Sequence, residues 1–139
     1  MIIDFMIIGI GVDIVDGQRI RRISEKFGGK FTGRIFTARE IAYCSDRAED
    51  YVHFAGRFAV KEAMFKALGT GWRFGILWKD IEVLNNSLGA PEISLHGKAR
   101  EISEDLKTEN ILTSISHDGD YAVGMVVLES SRNRFVTSF

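Results

Sequence analysis

A long helical segment constrains the fold of this chain more than any other feature of its sequence. Residues 51–68 are predicted to form a helix that ends at Gly69, because glycine readily takes the left-handed conformation that closes a helix. Large apolar side chains cover most of this helix, through Phe58, Met64, Phe65 and Leu68. A helix with so little polar surface has to pack against the rest of the core.

Four charged residues nevertheless lie on this helix. Glu62 and Lys66 are four residues apart and share a face, whereas Arg57 and Lys61 form a neighbouring pair about 100° round the cylinder. In an isolated helix such charges are usually a solvated face with one salt bridge, worth about 0.2–0.5 kcal/mol. Because little surface is left for water and the run GTG follows at residues 69–71, we expect the charges to face a cleft. A carboxylate flanked by lysines could hold a metal-bound phosphate there.

The length and composition favour one globular domain across residues 1–139. The chain is 45% hydrophobic, which is enough to bury a core of its own. Cys44 is the sole cysteine, so neither a disulfide framework nor a cysteine-rich zinc site is expected, and the cytoplasm is the default compartment. A net charge of −1 argues against a general nucleic-acid binder. No membrane association is expected, since no apolar run reaches the ~18–20 residues of a membrane span.

The first apolar run predicts a strand. Residues 6–15 are almost continuously apolar and are interrupted by Gly9 and Gly11, which suits a strand buried on both faces. Asp13 lies near its end. Taken alone, an acid there more often caps the next turn than points into a site, but two acids on separate elements can hold Mg²⁺ when phosphate and water supply the other ligands. Because the second methionine restarts almost the same sequence, residues 1–5 are interpreted as an extension before the natural start.

The remaining patterns alternate between short helices and strands. An apolar stripe of Ile20, Ile23 and Phe27 beside a row of cations predicts an amphipathic helix over residues 17–26. The other predicted elements are a helix that begins at a capping box of Thr37 and Glu40, strands in WKDIEVL and PEISLHG, a helix over residues 97–107, a hairpin that turns at Asp118-Gly119, and a loose tail over residues 130–139.

Searches for other catalytic motifs exclude several enzyme classes. The run GIGVDI lacks the third glycine of a dinucleotide fingerprint, and the sequence contains no GxxxxGK[ST], GxSxG, HExxH or CxxC. His117 lies at the rim of the predicted hairpin. A histidine in such a place is more often a hydrogen-bonded surface residue than a catalyst, although it could bind a phosphate.

Five blocks of sequence occur in a fixed order and spacing: GIGVDIV, RIFTAREI, AGRFAVKEAMFKALGTG, WKDIEVLNN and SISHDGDYAV. Together they resemble the holo-[acyl-carrier-protein] synthase family, the small bacterial type of 4′-phosphopantetheinyl transferase, over roughly residues 6–129. The resemblance implies a compact α+β domain, in which helices pack on a small, mainly antiparallel sheet. It also implies a homotrimer with sites between neighbouring subunits.

The implied reaction moves the phosphopantetheine arm of coenzyme A onto a serine of apo acyl carrier protein and leaves adenosine 3′,5′-bisphosphate. By this resemblance Asp13 and Glu62 would hold Mg²⁺, and Lys66 would complete the catalytic group by contacting a diphosphate oxygen. Lys61 would either contact a phosphate or form a structural ion pair. Either Glu62 or a metal-bound water would be the general base. The coenzyme A site would be lined by Arg57, Lys66, Gly69, Thr70, Gly71 and His117.

The family's carrier-docking helix corresponds here to a strongly basic stretch. Residues 19–39 contain seven cations and a single acid, Glu25. Acyl carrier proteins are small, acidic and helical, so opposite charge would steer the two proteins together. The residues predicted to dock the carrier protein are Arg19, Arg22, Lys26 and Lys30, with Phe31 as an apolar contact.

One position supports the small branch of the family, and another departs from the family pattern. Val15 stands where the larger, pseudodimeric transferases carry a second acid, which favours the small, carrier-specific branch of the family. Ala90 stands between Gly89 and Pro91, where the family usually has a basic residue, and its absence is expected to loosen the nucleotide contacts.

Two other functions are compatible with the same residues. A non-catalytic adaptor would bind acidic helical proteins through the basic stretch, with Glu62 and Lys66 merely paired, and would show binding without turnover. A magnesium-dependent nucleotide hydrolase would release phosphate without a carrier protein, but the sequence has no P-loop to support it.

Overall fold

The computed structural model describes residues 2–71 and 74–134, which form five strands and six helical segments. In chain order these are β1 (Ile2–Asp16), α1 (Gly17–Phe27), α2 (Gly29–Ile35), α3 (Ala38–Ser45), α4 (Asp50–Leu68), a short 3₁₀ helix (Trp78–Asp80), β2 (Ile81–Asn85), β3 (Pro91–Leu95), α5 (Gly97–Asp105), β4 (Asn110–Asp118) and β5 (Tyr121–Arg134). No helix among the described residues is long and apolar enough to cross a membrane.

All strand pairs in the described residues are antiparallel. One sheet has the order β1-β5-β4, and β2 and β3 form a separate two-stranded sheet. Helix α4 packs along β1 and β5, and its apolar residues Ala59, Val60, Ala63 and Met64 are fully buried in the core. The expected α+β architecture, with a small antiparallel sheet and packed helices, is confirmed.

Three glycines bring the backbone of α4 into direct contact with the sheet. A Cβ atom at Gly11 would lie 1.9 Å from the carbonyl oxygen of Ala63, and one at Gly9 would lie 2.3 Å from that of Ala67. On β5, a Cβ at Gly124 would lie 2.5 Å from the amide nitrogen of Val60. No side chain fits at such distances, so the glycines in the first apolar run set how closely β1 approaches α4.

The prediction that the first strand is buried on both faces is wrong for a single chain. Ile10, Val12 and Ile14 are 62%, 55% and 64% exposed, while Gly11 and Val15 on the opposite face are buried. Alternate residues of a strand point to opposite sides of its sheet. Only one side of β1 is therefore covered by α4, and the other presents an apolar row to solvent.

The helix boundaries follow local signals. Asp16, and not Asp13, caps α1 by accepting a hydrogen bond from the Gln18 amide. The predicted capping box at the start of α3 is present, since Thr37 accepts from the Glu40 amide and the Glu40 side chain accepts from the Thr37 amide. The predicted end of α4 is also confirmed, because Gly69 takes a φ of 74°.

Four details differ from the sequence predictions. The strand predicted in WKDIEVL begins only at Ile81, because Trp78–Asp80 form the 3₁₀ helix. Helix α2, which begins at the second glycine of the pair that ends α1, was not expected. Phe27 was placed on the buried stripe of α1 but is 52% exposed. Residues 130–134 continue β5 and pair with residues 2–6 of β1, so the expected loose tail is wrong for this part; residues 135–139 lie outside the described residues.

Candidate active site

The close approach of β1 and α4 also places the predicted catalytic residues side by side. Asp13 follows Gly11 by two positions and so lies on the same side of β1, facing α4. Glu62 and Lys66 directly precede Ala63 and Ala67, the two residues whose carbonyl oxygens meet the β1 glycines. The glycine contacts therefore bring one acid from the strand to an acid and a lysine on the helix.

Lys66 links the two elements. Its ammonium donates to the carbonyl oxygen of Val12 (2.8 Å) and to Oδ1 of Asp13 (3.1 Å). The Lys66 side chain is 53% exposed and that of Asp13 is 20% exposed, so the pair lies at the mouth of the site and not in the core. Lys66 also borders a cavity of about 500 Å³ that is lined by Ile10, Gly11, Val12 and Met125.

The negative charge of Asp13 affects the protonation of Glu62. The pKa of Glu62 is raised above its usual value, first because the side chain is partly buried and second because the negative charge of Asp13 is near. The positive charges of Lys66 and Arg19 oppose this shift. A carboxylate whose proton affinity is raised by a second negative charge nearby also attracts other cations.

This pair of acids fits a hard divalent ion such as Mg²⁺. No group of three or more His, Cys, Asp or Glu side chains that could hold a metal occurs among the described residues. Mg²⁺ commonly uses only one or two protein carboxylates and takes its other oxygens from water and substrate phosphates. Asp13 and Glu62 are therefore a suitable donor set, provided that a phosphate-bearing substrate supplies the rest.

Lys61 belongs to the core and not to this site. Its ammonium donates to Oε1 of Glu40 (2.8 Å), to the carbonyl oxygen of Trp78 (3.1 Å) and to that of Ile81, and neither charged side chain is exposed. Burial lowers the pKa of Lys61, while the charge of Glu40 opposes that shift. Of the two roles left open from the sequence, the structure gives Lys61 that of a structural pair.

A second cationic cluster lies on the N-terminal half of α4. Arg57 is buried, donates to Oδ1 of Asn85, and has an Nε that lacks a hydrogen-bond partner among the described residues. Two guanidinium groups contact the ring of Tyr43, since the centre of that ring lies 4.2 Å from the guanidinium carbon of Arg57 and 3.8 Å from that of Arg47. Such a concentration of positive charge suits an anionic ligand.

His117 lies beside this cluster. The carbonyl oxygen of Val52 accepts a hydrogen bond from His117 Nε2 (3.3 Å), and the ring centre of His117 lies 6.1 Å from that of His53. The pKa of His53 is lowered, first by burial and then by the charges of Arg57, His117 and Arg47. Because these shifts oppose protonation of His53, an incoming anion would be especially favourable here.

The structure thus separates the predicted site residues into two groups. Asp13, Glu62 and Lys66 form one, and Arg57 and His117 form the other. Gly69, Thr70 and Gly71 close α4 just beyond Lys66, where the amides of Thr70 and Gly71 both donate to the carbonyl oxygen of Phe65. Thr70 is buried, while both glycines are exposed.

Sequence reasoning missed three members of the second group: Tyr43, Arg47 and His53. The spacing of His53 and Arg57, four residues apart on α4, places both on one face of the helix and could have indicated His53. Tyr43 and Arg47 reach the cluster from α3 and the loop that follows it, and no local pattern reports that contact.

The predicted carrier-docking cations all lie on the surface. Arg19, Arg22, Lys26 and Lys30 are exposed on α1 and α2. Phe31 is half-buried against the core and packs edge-on against Phe36, with ring centres 6.3 Å apart. The exposed aromatic side chain of this surface is that of Phe27, which lies beside Lys26.

Another cavity lies elsewhere. It has a volume of about 640 Å³ and separates α1 from the start of α4, with Arg21, Glu25, Tyr51 and Phe54 among its lining residues. None of the predicted metal or coenzyme A residues borders it.

Comparisons of the sequence and the structure with known proteins point to one enzyme family. Residues 9–126 match the 4′-phosphopantetheinyl transferase superfamily. A holo-[acyl-carrier-protein] synthase of Geobacter sulfurreducens is 48% identical over 124 residues, which are 89% of this chain and 98% of that protein. The holo-[acyl-carrier-protein] synthase of Solibacter usitatus is 46% identical over 125 residues, which are 90% of this chain and 100% of that protein.

Solved structures give the same result. The crystal structure of holo-[acyl-carrier-protein] synthase from Neisseria meningitidis superposes with a TM-score of 0.80 at 37% identity, covering 88% of this chain and 98% of that one. The Helicobacter pylori enzyme in complex with coenzyme A superposes with a TM-score of 0.76 at 34% identity, covering 86% of this chain and 98% of that one. The fold is that of a 4′-phosphopantetheinyl transferase. Within that superfamily, the chain belongs to the holo-[acyl-carrier-protein] synthase family of enzymes.

Proposed function

We propose that this protein transfers 4′-phosphopantetheine from coenzyme A to a serine of apo acyl carrier protein, with Mg²⁺ as cofactor and adenosine 3′,5′-bisphosphate as the second product. The observation that carries the proposal is the meeting of Asp13, Glu62 and Lys66 at the contact between β1 and α4. Relatives in solved structures bind coenzyme A, which supplies the diphosphate that this constellation would hold.

In this proposal the serine oxygen of the carrier protein forms a bond to the phosphorus that bears the pantetheine arm. The diphosphate P–O bond breaks, and its electron pair leaves with the 5′-phosphate of adenosine 3′,5′-bisphosphate. The hydroxyl proton of the serine passes to a general base, either Glu62 or a water molecule. Asp13 and Glu62 would hold Mg²⁺, which when bound neutralises charge on the diphosphate. Lys66 contributes a further positive charge to a diphosphate oxygen, and the packing of α4 against β1 fixes these groups before substrate arrives.

The second cationic cluster would bind the nucleotide end of coenzyme A. Arg57 and His117 are its predicted phosphate contacts, and the buried, unpartnered Nε of Arg57 supports that role. Arg47 adds a further cation to this cluster, with its guanidinium carbon 3.8 Å from the centre of the Tyr43 ring.

A site shared between subunits explains why the two groups lie apart. Lys66 lies nine positions after Arg57 on α4. At about 100° and ~1.5 Å per residue, the two side chains leave the helix in opposite directions and ~13 Å apart along its axis. One compact nucleotide cannot easily reach both around a single helix. We propose that one subunit supplies Asp13, Glu62 and Lys66 while its neighbour supplies Arg57 and His117.

The uncovered face of the three-stranded sheet supports a homotrimer of this kind. Its exposed apolar side chains continue from β1 across β5 to β4, and are Ile10, Val12, Ile14, Met125 and Leu112. Contiguous apolar surface of this extent is typical of a protein interface. Further copies of this chain are the proposed occupants of that face.

The carrier protein would dock on the exposed cations Arg19, Arg22, Lys26 and Lys30, which stand on the helices that directly follow β1 and its Asp13. Phe27 offers this surface an apolar contact, and Phe31 supports it from within the core.

Mass spectrometry of apo acyl carrier protein tests the proposal. The parent protein with coenzyme A and Mg²⁺ is expected to add one phosphopantetheine group to the carrier and to release adenosine 3′,5′-bisphosphate. The isosteric variants Asp13→Asn and Glu62→Gln should abolish transfer, whereas Glu101→Gln on α5 should match the parent. A folded parent that binds the carrier and leaves it unmodified would instead establish the adaptor function.

A further inference from the structure

Lys66, the proposed diphosphate contact, also contacts one of the proposed metal ligands. Its ammonium donates hydrogen bonds to Oδ1 of Asp13 (3.1 Å) and to the carbonyl oxygen of Val12 (2.8 Å). Asp13 is one of the two carboxylates proposed to hold the metal, so a cation of the protein itself already neutralises half of the donor pair. A divalent ion and the Lys66 ammonium compete for the same oxygen.

The chemistry of the two contacts makes this arrangement reversible. The Lys66 side chain is 53% exposed and extends from the last turn of α4 on a flexible stem. Partly exposed ion pairs are weak, so the ammonium can leave Asp13 at small cost when a better partner is present. A diphosphate in the site is such a partner, because it carries more negative charge than one carboxylate.

We propose that Lys66 makes metal binding depend on coenzyme A: it occupies Asp13 when the site is empty, and it moves to the diphosphate when metal and coenzyme A bind together. This inference rests on the proposed function. In the empty site the ammonium weakens metal binding, both by holding Asp13 and by repelling a second cation. Once Lys66 contacts the diphosphate, Asp13 is free to bind the metal. Each of the two ligands, metal and coenzyme A, therefore increases the affinity for the other.

The coupling between metal binding and coenzyme A binding is reciprocal. If coenzyme A raises the metal affinity by some factor, the metal must raise the coenzyme A affinity by the same factor. Part of that factor comes from Lys66. Removing its charge should therefore improve metal binding in the absence of coenzyme A while it reduces the coupling between the two ligands.

The experiment measures Mn²⁺ binding by electron paramagnetic resonance, with and without coenzyme A, in the intact protein. The variant Lys66→Met keeps the length of the stem and removes the ammonium, and Lys98→Met removes one lysine from α5 as a matched control. Lys66→Met is expected to bind Mn²⁺ about three- to tenfold more tightly than the parent when coenzyme A is absent. Its gain in Mn²⁺ affinity on adding coenzyme A should be smaller than that of the parent by a similar factor. Lys98→Met should match the parent in both respects.

A purely structural role for Lys66 gives the opposite result. If the lysine only positions Asp13, Lys66→Met should bind Mn²⁺ more weakly with and without coenzyme A, and that outcome, or an unchanged coupling, overturns the inference. Mn²⁺ binding by Asp13→Asn and Glu62→Gln distinguishes a failure of this inference from a failure of the proposed function. If these two variants lose Mn²⁺ while Lys66→Met fails to gain it, only the inference falls; if they bind Mn²⁺ as the parent does, the metal site itself is wrong and the inference falls with it.

Discussion

The ammonium of Lys61 lies 2.8 Å from Oε1 of Glu40, and neither side chain is exposed to solvent. Glu40 also accepts hydrogen bonds from the amides of Thr37 and Val83. This single carboxylate therefore connects α3, α4 and β2 at a point where each of its contacts is shielded from water. A charge buried in this way is stable only while its partners remain in place.

Removing the cation of this pair should unfold the protein more readily. Lys61→Met leaves the Glu40 carboxylate buried without its counter-charge, and we expect the free energy of unfolding to fall by about 3–5 kcal/mol. Urea denaturation followed by circular dichroism measures the change. The double variant with Glu40→Gln should recover part of the loss, since it removes the uncompensated charge.

An exposed ion pair provides the control for that prediction. Arg100 and Glu104 lie 3.1 Å apart on the surface of α5, and Arg100→Met should cost less than about 1 kcal/mol. A loss for Lys61→Met no larger than this would show that the buried pair does not stabilise the fold.

Glu82 should make the stability depend on acidic pH. Its carboxylate is buried, which raises its pKa. Hydrogen bonds from Thr37 (2.6 Å) and His96 (3.2 Å), together with the positive charges of Arg39 and His96, outweigh burial and lower the pKa below the ordinary value of 4.5. The unfolded chain then binds more protons than the folded one just below pH 4.5. The stabilisation is complete above that value and is lost as the pH falls through the folded pKa.

Glu82→Gln removes this titration and keeps the shape of the side chain. The parent should be more stable than the variant near pH 7, and the difference should shrink as the pH falls below 4.5. Denaturant midpoints recorded between pH 3 and pH 7, over roughly the range in which carboxylates titrate, follow this difference. A gap between the two proteins that stays constant across the range would contradict the assignment.

Local signals in the sequence were sufficient for the boundaries of several elements. The capping box of Thr37 and Glu40, the glycine that ends α4, and the hairpin turn near Gly119 each depend on residues a few positions apart. The hairpin turns at Gly119-Asp120, one position later than predicted, because Asp118 still pairs with Tyr121 and the positive φ falls on Gly119. Such interactions are determined by the backbone conformations that those residues favour, and distant packing did not change them.

Contacts between distant parts of the chain were beyond the same reasoning. Lys61 and Glu40 are 21 residues apart, so the helical pattern around Lys61 could not distinguish a core ion pair from a phosphate contact. The apolar residues of β1 look the same in sequence whether α4 or another subunit covers them. The predicted pairing of Asp13 with Glu62, in contrast, was reached through the family resemblance and agrees with the shifted pKa of Glu62.

The contact between β1 and α4 should be sensitive to a single methyl group. Gly11→Ala would place a Cβ 1.9 Å from the Ala63 carbonyl oxygen, which forces the strand and helix apart. We expect a loss of about 1–3 kcal/mol in unfolding free energy and a larger proportional loss of transfer activity, because Asp13 moves away from Glu62. Gly29→Ala is the control, since a Cβ there meets nothing within 4 Å. Parent-like activity in Gly11→Ala would show that this spacing does not set the site.

The apolar face of β1 should determine the oligomeric state. Ile10→Lys places a charge on this face, where the parent side chain is 62% exposed in a single chain, so it should disturb association far more than folding. Light scattering after size-exclusion chromatography is expected to show a trimer for the parent and a monomer for the variant, with loss of transfer activity. Leu88→Lys, at the exposed turn between β2 and β3, should remain a trimer. A monomeric parent with full activity would exclude a site between subunits.

The basic surface of α1 should govern the encounter with the carrier protein and leave the chemical step unchanged. Arg22 is exposed, and opposite charge on the carrier would accelerate association. Arg22→Ala is expected to raise the KM for the carrier about two- to fivefold with little change in kcat, and to flatten the fall of kcat/KM with rising salt because one screened attraction is gone. Phe27→Ala should also raise the KM for the carrier but keep the salt dependence of the parent, since its contact is apolar. Arg100→Ala on α5 should match the parent in every measurement; an equal effect from Arg22→Ala and Arg100→Ala would mean that α1 does not form the docking surface.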